Sequence, residues 1–233
     1  MPLRTNGLTS AASALRYWER RQEVLSNNLA NASTDGFRGE RVFAQMMGDA
    51  LPAAQTKTDQ RFGALRQTTN PLDLALQGDG FFVVQTPAGE RFTRGGAFRL
   101  DTDRRIVDAD GRPLLGEQGA ITVPPEGQIA VAADGTVMVD GRPVDVLRID
   151  RAGTGAELPH EGGTLLVPDA ARQRVPNGDR RVRQGYVEES NVSTVGALVD
   201  MISVQRAYAA IQKVVTTIDG ARQTATSELG KPV

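Results

Sequence analysis

Cysteine is missing from all 233 residues, and histidine and tryptophan occur once each, as His160 and Trp18. Without cysteine there is no disulfide framework and no thiolate metal site, although Cys-free chains serve in reducing and oxidising compartments alike. One histidine is too few for a histidine-built zinc site. A surplus of charge is missing too, since 27 Lys+Arg stand against 28 Asp+Glu. That balance gives no field for nucleic acid and no polybasic patch for a membrane surface. Nor is there a long apolar run: no window reaches the roughly 20 residues of a membrane-spanning helix. The opening MPLRTNGLTSAASALRYWERRQ also lacks the apolar core of a cleaved signal peptide. The chain is expected to be soluble and, if exported, to leave by a route other than an ordinary signal.

The constellations that carry catalysis are thin as well. The Gly230-Lys231 pair is followed by proline, so there is no phosphate-cradling P-loop, and GDGFF and GTGAEL each lack the third glycine of a dinucleotide turn. A Gly-x-Ser-x-Gly nucleophile elbow is absent. Asp101, Asp103, Asp108 and Asp110 are close in sequence but lack the alternating ligands and closing glutamate of a calcium loop. His160 lies between proline and glutamate in a Gly-rich stretch and reads as a solvated loop residue. Arg172, Arg174, Arg180, Arg181 and Arg183 are diluted by Asp169 and Asp179 with no aromatic between them, which reads as solvated surface. No enzyme, metal or cofactor is expected.

What is present is periodicity. Leu8, Ala11, Leu15, Trp18, Leu25, Leu29 and Ala32 recur in steps of three and four, with Gln22 the one polar interruption. Ser33 to Gly36 then stop the pattern, Gly36 suiting the left-handed position after a helix and Phe37 placed to fold back on the last turn. At the other end Ala197, Met201, Val204, Tyr208, Ile211, Val215 and Ile218 repeat the spacing, widened at the start by Leu198, Val199 and Ile202. Both stripes are narrow, like a coiled-coil seam. Neither helix buries enough alone to offset the ordering of its backbone, so each needs a partner, and the other terminus is the nearest.

Between the helices the period falls to two and to short apolar runs: GFFVVQT, ERFTR, RIVDADG, AITVP, QIAVAADG, GTVMVDG and VDVLRID. These are strand-sized and separated by Gly, Pro and Asp-Gly. Asp-Gly-Arg-Pro occurs at 110–113 and 140–143, where Asp-Gly suits a tight hairpin turn. The stretch 52–71 has no steady period and reads as an extended connector, and 150–163 as a surface loop. The expected class is α+β: discontinuous N- and C-terminal helices pairing as a coiled coil around a β-rich middle.

Three motifs then stand in order. LSNNLANASTDGFRGERVFAQ resembles the Asn-Asn-x-Ala-Asn and Gly-Phe signature of bacterial flagellar rod and hook proteins. NPLDLALQGDGFFVVQTPAGERFTRGGAFRLD is similar to their central Gly-Phe-Phe segment. GYVEESNVSTVGALVDMISVQRAYAAIQKVVTTID is similar to their C-terminal helix, its motif residues here being Ser190, Asn191, Gln205 and Arg206. Within the family the compact length and the TPAGERFTRGGAF segment are most similar to proximal rod members, with distal rod members next.

The resemblance implies an axial structural protein, exported unfolded through the flagellar type III apparatus without a cleaved signal and built into the basal-body rod that crosses the periplasm. Its partners would be copies of itself and other rod proteins, with no nucleic acid, no membrane insertion and no cofactor. The implied division is 1–41 as the N-terminal helix of an inner helical domain, 42–70 as the connector, 71–189 as a β-rich outer domain and 190–233 as the C-terminal helix. Asn27, Asn28 and Asn31 are poor helix formers, so their reason lies outside the helix. In a tube built from one repeated contact, such amides would fix register between helices or subunits.

Overall fold

The computed structural model describes residues 7–45 and 53–229, with the side chains of 11–44, 54–224 and 226–227. Two helices bracket the chain, α1 (Gly7–Ala30) and α2 (Thr194–Leu229), and nineteen short strands lie between them among the described residues. The Cα framework divides into two compact units. One takes α1, α2 and the stretch 40–57; the other takes 31–39 and 58–192.

In the helical unit α1 and α2 run against each other, and the Tyr208 hydroxyl donates to Glu19 Oε1 at 3.0 Å. Helix α2 begins where Ser193 caps it, its Oγ accepting the Gly196 N–H at 3.2 Å and its carbonyl the Ala197 N–H at 2.8 Å. Helix α1 stops at Ala30, earlier than the apolar spacing suggested, so Ala32 falls in the turn that follows. Strands Glu40–Gln45 and Ala53–Thr58 pair, and with Leu65–Gln67 they fall in the stretch read as a connector.

The β-rich unit is built on a six-stranded sheet in the order His160–Gly162, Leu165–Leu166, Gly89–Thr93, Phe81–Thr86, Ile149–Arg151, Gln173–Arg174. Strand Phe81–Thr86 explains its own sequence: Phe82 and Val84 enter the larger apolar cluster, Phe81 and Val83 the smaller, so both faces are covered and the run is continuously apolar. At the second Asp-Gly-Arg-Pro, Asp140 (φ 48°) and Gly141 (φ 75°) are both left-handed. This is the type I′ turn that two-residue hairpins favour, and it joins Thr136–Val139 to Arg142–Val146. At the first copy Asp108 instead closes the loop, its Oδ1 accepting the Asp110 and Arg112 N–H groups. The run VDVLRID is two strands, Arg142–Val146 and Ile149–Arg151, belonging to different sheets.

Two surface assignments are overturned. His160 is half-buried in a strand, paired with Leu166 and with its ring centroid 5.4 Å from that of Phe37. Arg180 is buried, donating to the Val175 and Leu147 carbonyls and to Glu117. Neither shows in local composition, because Phe37, Leu147 and Glu117 lie far along the chain from the residues they meet.

Candidate functional site

In the helical unit the residues expected to form the seam have distinct burials. Val204 is fully buried and Ala197 nearly so, while Met201, Tyr208, Ile211, Val215 and Ile218 are half-buried. On α1, Leu15, Trp18, Leu25 and Leu29 are half-buried, and the side chain of Leu8 lies outside the described residues. The deepest α1 positions are Val24 and Asn28, one step off the expected stripe. Trp18 packs edge-on to Tyr17 and carries the Arg21 guanidinium 5.3 Å from its ring centroid. Beside this seam α2 leaves Val195, Leu198, Val199 and Ile202 exposed, spaced as one helix face.

The three asparagines separate. Asn28 is buried, its Nδ2 donating to the Glu40 carbonyl at 2.8 Å while its Oδ1 accepts the Glu40 N–H at 2.9 Å. The amide imitates a neighbouring peptide and fixes strand Glu40–Gln45 to the helix. Asn31 Oδ1 accepts from the Thr34 hydroxyl and its carbonyl from the Thr34 N–H, closing the turn after α1. Asn27 is exposed. Replacing Asn28 with alanine would leave two partly buried backbone groups of Glu40 without this partner, a loss of about 1 kcal/mol. Exchange of the Glu40 amide should accelerate in Asn28→Ala, and unchanged protection there would contradict this role.

The β-rich unit holds a second cluster made from all three motif segments. Gly36 is left-handed (φ 76°), not as the residue closing α1 but because the chain passes against Arg94 and Gly95. A Cβ there would lie 2.2 Å from their backbone atoms, which only glycine avoids. Phe37 follows, buried in this unit. The Gly36 N–H donates to the Glu188 carbonyl at 2.5 Å, and the Asn191 N–H to the Phe37 carbonyl at 3.3 Å. The Asn191 side chain completes the tie: Oδ1 accepts the Gly39 N–H at 2.8 Å, and Nδ2 donates to the Asp59 and Arg61 carbonyls. Ser190 Oγ accepts the Val192 N–H, and Gln205 and Arg206 are exposed on α2.

Beneath this tie lies an ionic triad that spacing did not single out. The Glu188 carboxylate meets Arg38 Nη1 at 2.7 Å and Arg94 Nη1 at 2.9 Å, and accepts the Gly63 N–H at 2.9 Å. All three side chains are buried. Arg94 also donates to the Leu76 and Gly78 carbonyls, and Arg38 to that of Arg61. The Phe62 ring lies over both guanidiniums, and Arg94 also faces the Phe81 ring, which stacks on Phe92. Burial pushes Arg94 down to about 10, outweighing the pull of Glu188, and burial lowers Arg38 too. The signal was a charge at a motif position: Arg38 directly after Gly36-Phe37, Arg94 after strand Gly89–Thr93, and Glu188 as the first of the two glutamates before Ser190-Asn191.

The aspartates weighed as a metal loop are engaged otherwise. Asp101 is bonded by Arg105 and Asp108 by Arg112, each also accepting backbone N–H groups. Among the described residues, no three His, Asp or Glu side chains are grouped to hold a metal ion.

Three family models match the chain: "Flagella basal body rod protein" over 8–38, "Flagellar hook protein FlgE/F/G D1 domain" over 75–139 and "Flagellar basal body rod FlgEFG protein C-terminal" over 183–228. The flagellar basal-body rod protein FlgF of Rhizobium meliloti is 31% identical, over 96% of this chain and 98% of its own. The chain belongs to the flagellar basal-body rod protein family. FlgF of Escherichia coli is 33% identical over 92% of this chain and 94% of its own. FlgG of Bacillus subtilis is 28% identical over 91% and 94%. Within this rod protein, the triad draws on all three matched regions or their immediate neighbours: Arg38 closes the first, Arg94 lies in the second and Glu188 in the third.

Proposed function

We propose that the chain is a structural subunit of the bacterial flagellar rod, most similar to its proximal members, and polymerises through its terminal helices. The observation that carries this is the exposed face of Val195, Leu198, Val199 and Ile202 beside the seam on α2. Four apolar side chains at helical spacing need a covering surface, and neighbouring subunits of a tube supply one. In this reading α1 and α2 pair as a coiled coil forming an inner domain, residues 71–189 form an outer β domain, and 42–70 link the two. Export runs through the type III apparatus without cleavage, the rod crosses the periplasm, and the chain catalyses no reaction. Rod family membership supports assembly with copies of itself and with other rod proteins.

Val199→Glu with Ile202→Glu tests this. Both sites are exposed in the single chain, so the variant should fold and be secreted as the native chain is, yet fail to enter basal bodies. Swimming would be lost. Normal motility of the double variant would remove the face from the assembly contact.

A further inference from the structure

Two buried guanidiniums share one carboxylate in the triad, with Asp79 and Asp59 the further anions that act on them. Three of their N–H-bearing atoms, Arg38 Nε, Arg38 Nη2 and Arg94 Nε, have no protein acceptor. They are closed from solvent, and the ring that covers both guanidiniums, Phe62, is itself 52% exposed. Alongside lies a cleft of about 160 Å³, lined by Arg38, Arg94, Arg151, Phe62, Asp79 and Gly80 among others. Arg151 has no ion-pair partner among the described residues, and Asp59, which also acts on Arg38, is engaged by Arg61. With Glu188 and Asp79 counted against the three arginines, the surroundings remain positive.

From these observations we propose that the cleft is a binding site for a single oxyanion group, with Phe62 as a displaceable cover over the two guanidiniums. Guanidinium N–H forks match carboxylate and phosphate oxygens, and an anion would supply the acceptors and the charge that Glu188 alone does not. Burial already holds Arg94 below its ordinary range, so a second anion relieves a cost that the fold carries without it. The Phe62 ring face offers the cations a quadrupole but no lone pair, which an oxyanion displaces on favourable terms. Arg151, at the exposed mouth, draws the anion in. The group arrives either as a free tetrahedral ion or as an acidic side chain of a neighbouring chain, because both present anionic oxygens that a guanidinium fork can bind.

The test is a titration of the full-length chain followed through its arginine Nε–H resonances, with ionic strength held constant by sodium chloride. Inorganic phosphate probes the free ion, and N-acetyl-aspartate amide stands for a protein carboxylate. One probe or both should shift the buried Arg38 and Arg94 signals saturably. Saturation by phosphate alone assigns the site to a free ion, and by the aspartate derivative alone to a neighbouring side chain. Arg151→Gln should weaken binding about ten-fold by removing one charge-assisted contact. Phe62→Ala should strengthen it several-fold by uncovering the guanidiniums. Signals that move with neither probe, or binding that both variants leave unchanged, overturn the proposal.

Discussion

Glu188→Ala should be among the most damaging single changes to the β-rich unit, lowering its stability by about 3–5 kcal/mol. The reason is what it leaves behind: Arg38 and Arg94 stay buried with no carboxylate between them, and the Gly63 N–H loses its acceptor. Glu188→Gln should cost less, since its amide oxygen still accepts one of these bonds. Replacing Arg38, Glu188 and Arg94 together by apolar residues of similar volume should recover much of the loss, because no unpaired charge remains. Urea unfolding of the three variants, followed by near-ultraviolet circular dichroism, orders them. A Glu188→Ala chain that unfolds at the native midpoint would mean that the triad contributes nothing to the fold.

The second large effect belongs to the helices. Val204 is 1% exposed, so Val204→Asp would force a carboxylate into a buried position that an apolar side chain now fills. It should separate α2 from α1, abolish rod incorporation and stop swimming, while the β-rich unit keeps its sheet. Trp18→Ala should reach the same motility defect with less loss in the isolated chain, since that ring is only half-buried there. A large aromatic wholly buried on assembly would be worth roughly 3–5 kcal/mol when truncated. Motility halos, secretion blots and tryptic digestion separate folding from assembly. A Val204→Asp strain that swims normally would show that the helix pair is not needed.

The architecture was legible because it rests on period. Steps of three and four marked Ala197 and Val204, the deepest α2 positions, and alternation with Asp-Gly turns marked the hairpin at Asp140-Gly141. What local pattern could not carry was partnership across the chain. Val24 and Asn28 are deeper than Leu25 and Leu29, since burial there includes a strand start that the helical period does not encode. His160 looked like a loop residue because the ring beside it belongs to Phe37, more than a hundred positions away. The triad was hidden for the same reason, although each of its members stands directly beside a motif residue or a strand. Asparagine composition raised the right question at Asn28. Its partner, Glu40, lies twelve positions on, beyond the reach of a helical period.

The chain enters the β-rich unit at 31 and again at 58 and leaves it at 39 and at 192, and the segments near these points are bonded to one another, Gly36 to Glu188 and Asn191 to Phe37, Gly39 and Asp59. A unit whose doorway is a single closed seam behaves as a cassette. Material can be added, trimmed or exchanged among the loops beyond that seam, and the segments at the threshold still emerge side by side, at the same spacing. Evolution, or an engineer, can thus vary the size of the body while the ends of the chain meet an unaltered geometry.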